Sequence, residues 1–163
     1  MNRISCIYGT KHALLGWLGA VVVLAGVSGL PLLAANNVNL DRAIQAARQG
    51  DWDAAAAAAE AALNESPKNA AAWSLLADAQ INLGDTTAAV AAYQKSLSVD
   101  PKYPGAVLGL TRHYLRVSEI DAANHVVIAA EAKDPKGKSD EIKVARGMVL
   151  ARQGQFAEAR TII

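Results

Sequence analysis

The sequence predicts an all-α chain, a solenoid of stacked antiparallel helix pairs preceded by one N-terminal transmembrane helix. Three observations carry the solenoid. Pro67, Pro101 and Pro135, each followed by Lys, stand 34 residues apart. Gly50, Gly84 and Ser118 keep the same step, and so do Ala55, Ala89 and Ala123. Between these landmarks apolar residues recur at helical spacing, as over Ala70 to Leu83 and Ala88 to Val99. A fixed period of this length is what stacked helix-turn-helix units produce, each unit burying its face on its neighbours.

The N-terminal element comes first. Residues 1–12 hold Arg3, Lys11 and His12, and Ala13 to Ala35 is then a run of 23 residues without a charge. At about 1.5 Å per residue such a helix crosses ~30 Å of hydrocarbon, although Pro31 bends or ends it. A cleaved secretory signal has the same charged start but an apolar stretch of only about 7–15 residues and a small-x-small cleavage site. Here cleavage after Ala34 or Ala35 would put Leu32 or Leu33 where a small residue is preferred. A retained anchor over 13–35 is therefore the leading reading, with a signal sequence as the alternative. Arg3 and Lys11 precede the span and the first cation beyond it is Arg42, so residues 1–12 are expected in the cytoplasm and the rest in the periplasm of a bacterial cell. Cleavage would instead release the repeats into the periplasm. Gly16 with Ala20, and Ala25 with Gly29, are small pairs that let another membrane helix approach, and are also ordinary in a lipid-facing span.

Residues 36–39 read as a hinge, and residues 40–163 as about three and a half repeats, divided at 36–69, 70–103, 104–137 and an incomplete 138–163. In the second unit Gly84-Asp85-Thr86 supplies a residue free to take positive φ and a cap for the next helix. Asp100-Pro101 closes that helix, because proline cannot continue the ladder and disfavours the α region for the residue before it. Ala43, Ala77 and Thr111 on first helices, with Ala55, Ala89 and Ala123 on second helices, are small where two backbones must meet. Trp73, Leu76, Tyr93 and Leu97 are the bulky residues packed around them. The run Ala54 to Ala59 is a thin, closely packed second helix of the first unit. Asn39 and Arg42 stand where large apolar residues are expected, which makes the first helix a frayed edge. The fourth unit begins after Gly137 and its turn arrives two residues late, at Ala151-Arg152-Gln153-Gly154, a copy of Ala47-Arg48-Gln49-Gly50. The last helix is expected over Gln155 to Ile163 with no polar capping helix after it. That leaves an apolar edge of Val144, Met148, Phe156, Ile162 and Ile163 for another subunit or a second copy of the chain, unless the chain is a piece of a longer one.

Trp73, Leu76, Gly84, Ala89, Tyr93 and Pro101 together resemble the tetratricopeptide repeat family. The third unit keeps Leu110, Tyr114, Ala123, Ala130 and Pro135, with Val107 for the aromatic and Ser118 for the turn glycine. The resemblance covers roughly residues 37–163 and implies a concave groove, lined by first helices, that holds extended peptides or partner helices. On those helices Ser74, Asp78 and Asn82 are spaced i, i+4, i+8, and Arg112 and Arg116 form a basic pair. Arg48, Asn82, Arg116 and Arg152 occupy corresponding places before successive turns, a ladder of donors for carboxylates or backbone carbonyls. The other reading of these residues is solvated or salt-bridged surface near helix C-termini, where a cation suits the macrodipole. The family's clamp for chaperone tails would fall on Leu40, Ile44, Leu75, Gly105 and Gly109, none of which donates from a side chain. A chaperone-tail adaptor is therefore disfavoured.

Composition narrows the function further. The chain has 16 Lys plus Arg against 15 Asp plus Glu, so no basic stripe for nucleic acid is expected. Its single cysteine, Cys6, allows no internal disulfide and no cysteine metal site, and lies ahead of the apolar run, where lipid attachment has no support. His113, His125, Glu119 and Asp121 fall around one turn, but no His-Glu-x-x-His, phosphate-binding glycine loop or nucleophile elbow accompanies them. No catalytic residue, cofactor or metal is expected. The sequence thus points to a non-catalytic interaction module, a membrane-tethered scaffold or adaptor in the cell envelope, with other proteins as partners. The alternative is an accessory structural subunit of a larger membrane complex, docked through the transmembrane helix and the C-terminal edge.

Overall fold

The computed structural model of the protein describes residues 32–162, with side chains from Val38. Residues 1–12 and most of the expected span over 13–35 lie outside the described residues. Among the described residues no helix is long and apolar enough to cross a membrane.

The described chain is helical throughout: α1 (Leu32–Gln49), α2 (Trp52–Glu65), α3 (Ala70–Leu83), α4 (Thr86–Val99), α5 (Pro104–Arg116), α6 (Ile120–Lys133), α7 (Asp140–Arg152) and α8 (Phe156–Ile162). Helices pair along the chain, and the first helix of each later pair also packs on its counterpart, α3 on α5 and α5 on α7. This is the stacking that the 34-residue step in the sequence predicts.

Local chemistry explains the boundaries. Asp51, Asn69 and Asp85 cap α2, α3 and α4 by accepting the amides of Ala54, Ala72 and Ala88 at 3.0, 3.1 and 3.0 Å. The Asp85 cap starts α4 at Thr86, before the apolar pattern begins at Ala88. The turns need a left-handed residue, with φ +76° at Gly50, +90° at Gly84 and +80° at Gly154, and Ser118 takes φ +65° at the same register. The two extra residues of the fourth unit lie in the loop 134–139, which is longer than the loop 100–103, and not in α7. Ser139 closes that loop by donating its amide to Asp134 at 3.0 Å and then caps α7.

The small residues expected at helix crossings, Ala43, Ala77, Thr111, Ala55, Ala89 and Ala123, are all fully buried. Leu76 and Tyr93 are buried beside them, while Trp73 and Leu97 are partly buried. Trp73 donates its indole N–H to the Pro67 carbonyl at 2.9 Å, and the buried Ser96 hydroxyl donates to the Ala70 carbonyl at 2.7 Å. Packing changes in character along the stack. Around α1–α3 it is mostly alanine, with Leu63 and Leu76, whereas around α5–α7 it is Val107, Leu115, Val127, Ile142 and Val149.

Three expectations need correction. Residues 36–39, read as a hinge, are helical within α1. The first helix, expected as a frayed edge, is helical through to Gln49, and Asn39 donates to Glu65 at 2.9 Å, an exposed bond from α1 to the end of α2. The last helix, α8, begins at Phe156 and not at Gln155, and is described as far as Ile162, Ile163 lying outside the described residues.

Candidate functional site

Two neighbouring clefts open on the side of the stack built by first helices. One, of about 280 Å³, is walled by Asp78, Ile81 and Asn82 of α3 and by Gly109, Arg112, His113 and Arg116 of α5, with Tyr93 of α4 at its base. The other, of about 520 Å³, lies between Arg112, Leu115 and Arg116 of α5 and Met148, Ala151 and Arg152 of α7. Arg112 and Arg116 line both. They are one helical turn apart, exposed, and in no salt bridge or side-chain hydrogen bond among the described residues.

Five of the groove residues named from sequence, Asp78, Asn82, Arg112, Arg116 and Arg152, therefore meet on this face. Ser74 does not join them. It is buried under α5, its Oγ 2.9 Å from where a Cβ on Gly105 would stand. Each four-residue step drifts roughly 40° around a helix, so a line that reaches the surface at Asn82 is turned into the interface at Ser74. Arg48 is exposed at the end of α1 and lines neither cleft. The ladder is also less uniform than its spacing suggests. Asn82 donates to its own helix at the Asp78 carbonyl (2.8 Å), and Arg152 donates to the Leu115 carbonyl near the end of α5 (2.9 Å). The Leu115 carbonyl is among the last four of α5, which have no amide one turn on within the helix, whereas the Asp78 carbonyl lies inside α3 and takes Asn82 as an additional donor.

The base of the first cleft is a polar pair that sequence reasoning missed. The Tyr93 hydroxyl donates to Asp78 Oδ1. Burial raises the Asp78 carboxyl above its usual range, opposed by the Tyr93 bond and by the Arg112 charge. Burial also raises the Tyr93 phenol, reinforced by the Asp78 charge and bond. Tyr103 is raised for the same first reason, with Asp78 and Asp100 adding to it. His113 is lowered by burial and by Arg116, against Glu119, and its buried Nδ1 has no hydrogen-bond partner among the described residues. Gly109 makes the Tyr93–Asp78 contact possible, because a Cβ there would overlap the Tyr93 ring. A glycine in mid-helix, where alanine would be the better helix former, was the available signal of close approach.

The residues weighed for catalysis are dispersed. His113 lines the first cleft, His125 faces a separate hollow between α4 and α6, and Glu119 and Asp121 border a third beside Gln153. Among the described residues no three His, Cys, Asp or Glu side chains cluster to hold a metal. Of the expected apolar edge, Phe156 is 65% exposed, Val144, Met148 and Ile162 are half-buried, and Ile163 lies outside the described residues. Met148 packs on the α5–α7 core.

Residues 40–107 match one tetratricopeptide repeat family model and residues 142–163 match a second. The chain belongs to the tetratricopeptide repeat family. Tetratricopeptide repeat proteins act as protein–protein interaction modules. Among solved structures the chain is similar to a thermophilic tetratricopeptide repeat protein of Thermus thermophilus, at 25% identity and TM-score 0.67, over 78% of this chain and 71% of that one. It is similar in fold to pilF of Pseudomonas aeruginosa, at 16% identity and TM-score 0.69, over 80% of this chain and 59% of that one. The TPR2B domain of yeast Sti1, solved as a complex with pHsp70, aligns at 21% identity and TM-score 0.63, over 75% of this chain and 98% of that one. No curated protein matches the chain.

Proposed function

We propose that this repeat protein is a non-catalytic, membrane-tethered adaptor of the cell envelope, which holds a segment of another protein in the groove of its first helices. The observation that carries the reading is the pair Arg112 and Arg116, exposed and without salt-bridge partners among the described residues, on the wall shared by two clefts. Cationic side chains that enter no salt bridge in a concavity, with only the half-buried Asp78 nearby to offset Arg112, are supplied for a ligand more naturally than for the fold. The uncharged run Ala13 to Ala35 behind Arg3 and Lys11 supports tethering, with the repeats in the periplasm. Confinement to a membrane raises local concentration, so modest groove affinity suffices.

The test is co-purification of the tagged full chain in mild detergent, beside a variant carrying Arg112→Ala and Arg116→Ala. Loss of a co-purifying protein at unchanged circular dichroism is the expected result, and identical recovery removes the groove from the account. Intact-mass measurement of the same sample reports whether the N-terminal segment is retained. A second reading, an accessory subunit docked by its C-terminal edge, is favoured by the exposure of Phe156. Under it Phe156→Ser releases the partner and the arginine pair does not.

A further inference from the structure

Resting on the adaptor reading, we infer that the groove's ligand is an acidic peptide segment, whose carboxylate sits among Arg112, Arg116 and Arg152 and whose neighbouring apolar side chain lies on Met148 and Ala151. This place differs from the family's chaperone-tail clamp, whose matching positions here hold Leu40, Ile44, Leu75, Gly105 and Gly109.

Charge complementarity is the first argument. Three guanidiniums border one cleft, two from α5 and one from α7. Arg152 is fixed by its bond to the Leu115 carbonyl at 2.9 Å, made through one nitrogen only, so the group is positioned with donors to spare. The salt bridges among the described residues, Lys143–Asp140 and Arg146–Glu131, involve none of the three. A planar carboxylate accepts two parallel N–H bonds from such a fork.

The cleft floor is the second argument. Leu115 is buried, and Met148 and Ala151 are half-buried. A simple anion or a polyanion would leave this apolar surface wet, whereas a peptide with an apolar residue beside the acid covers it. A cleft between two helices also suits an extended chain better than the plane of a bilayer. Nucleic acid is disfavoured by a net charge of only +1 over the whole chain.

Asp78 gives the groove a direction. It sits in the adjoining cleft, near enough to Arg112 to feel its charge. A ligand carboxylate is repelled at that end and drawn to the α5–α7 end, which sets the register of the bound segment.

A phage-displayed library of random short peptides, selected on the full chain in detergent, tests this while the partner is still unidentified. Enriched peptides are expected to carry Asp or Glu beside an apolar residue. By fluorescence anisotropy, their Gln or Asn isosteres should bind about tenfold or more weakly. The variant carrying Arg112→Gln and Arg116→Gln should lose a similar factor at unchanged melting temperature, and Asp78→Asn should tighten binding. Enriched peptides without acidic bias that still need the groove would overturn the inference and leave the adaptor reading standing. Acidic peptides that bind the arginine variant equally well place the site elsewhere and also overturn it. No enrichment at all overturns the inference, and co-purification with the arginine variant then decides the adaptor reading on its own. Retention on phosphatidylglycerol vesicles, lost in the arginine variant and unaccompanied by peptide binding, would replace the peptide with a lipid surface.

Discussion

Replacing Gly109 by alanine pits two well-known tendencies against each other. In an isolated helix the change is favourable by about 1 kcal/mol, because alanine loses less backbone freedom on ordering. In this stack the new Cβ would stand 2.5 Å from Cε1 and from the hydroxyl oxygen of Tyr93, a side chain only 2% exposed. The ring must move, and a forced repacking in a filled site costs about 1–3 kcal/mol. Its hydroxyl then leaves Asp78, stranding a half-buried acceptor at a further cost of about 1–3 kcal/mol. Set against the helix-propensity gain, a net destabilisation of about 3 kcal/mol results. Urea unfolding of the full chain, followed by circular dichroism, measures it. Gly105→Ala is the internal comparison. Its Cβ meets Ser74 Oγ at 2.9 Å and Tyr103 Cε1 at 3.0 Å, a hydroxyl that can rotate and a ring that is partly exposed, so its loss should be smaller. A Gly109→Ala protein as stable as the parent, or more so, would refute the account of the α4–α5 contact.

Two other perturbations follow from the same region. The Asp78 carboxyl has a raised pKa in the folded chain, so the folded state holds the proton more tightly than the unfolded one, and ionised Asp78 opposes folding at neutral pH. Asp78→Asn keeps an acceptor for Tyr93 and should melt higher than the parent at neutral pH, with the gap narrowing on acidification towards the unfolded value of 3.8; a gap that widens on acidification contradicts this. Thr111 is fully buried with no partner for its Oγ1 among the described residues, so Thr111→Val should raise stability by about 1 kcal/mol in thermal denaturation, and a loss of stability would point to a bond the hydroxyl makes.

What could be read from the sequence was whatever depends on local rules repeated at a fixed interval. Left-handed turns at Gly50, Gly84 and Gly154, capping by Asp85, closure of α4 before Pro101 and small residues at Ala43, Ala77 and Ala89 each express a preference of one residue in its own unit. Contacts across units depend on how far one helix slides and turns against the next, and no residue reports that by itself. The Tyr93–Asp78 bond, the tether from Arg152 to Leu115 and the bonds of Arg146 to Glu131 and to Asn124 (2.8 Å) belong to that class. Ser74 shows the converse error. A spacing of i, i+4, i+8 looks like one face, yet its drift carried one end of the row into an interface.

The alanine seam among α1, α2 and α3 has a consequence for tolerance to change. Methyl groups at Ala43, Ala59, Ala62 and Ala72 bring the helix axes close and have no rotamers to lose when they are covered. Any larger side chain at these positions acts as a wedge and prises the axes apart. Substitutions in the opening unit are thereby expected to be tolerated best at exposed positions such as Asp53, Ala57 and Glu60. Backbone proximity, more than side-chain interlock, sets the spacing there.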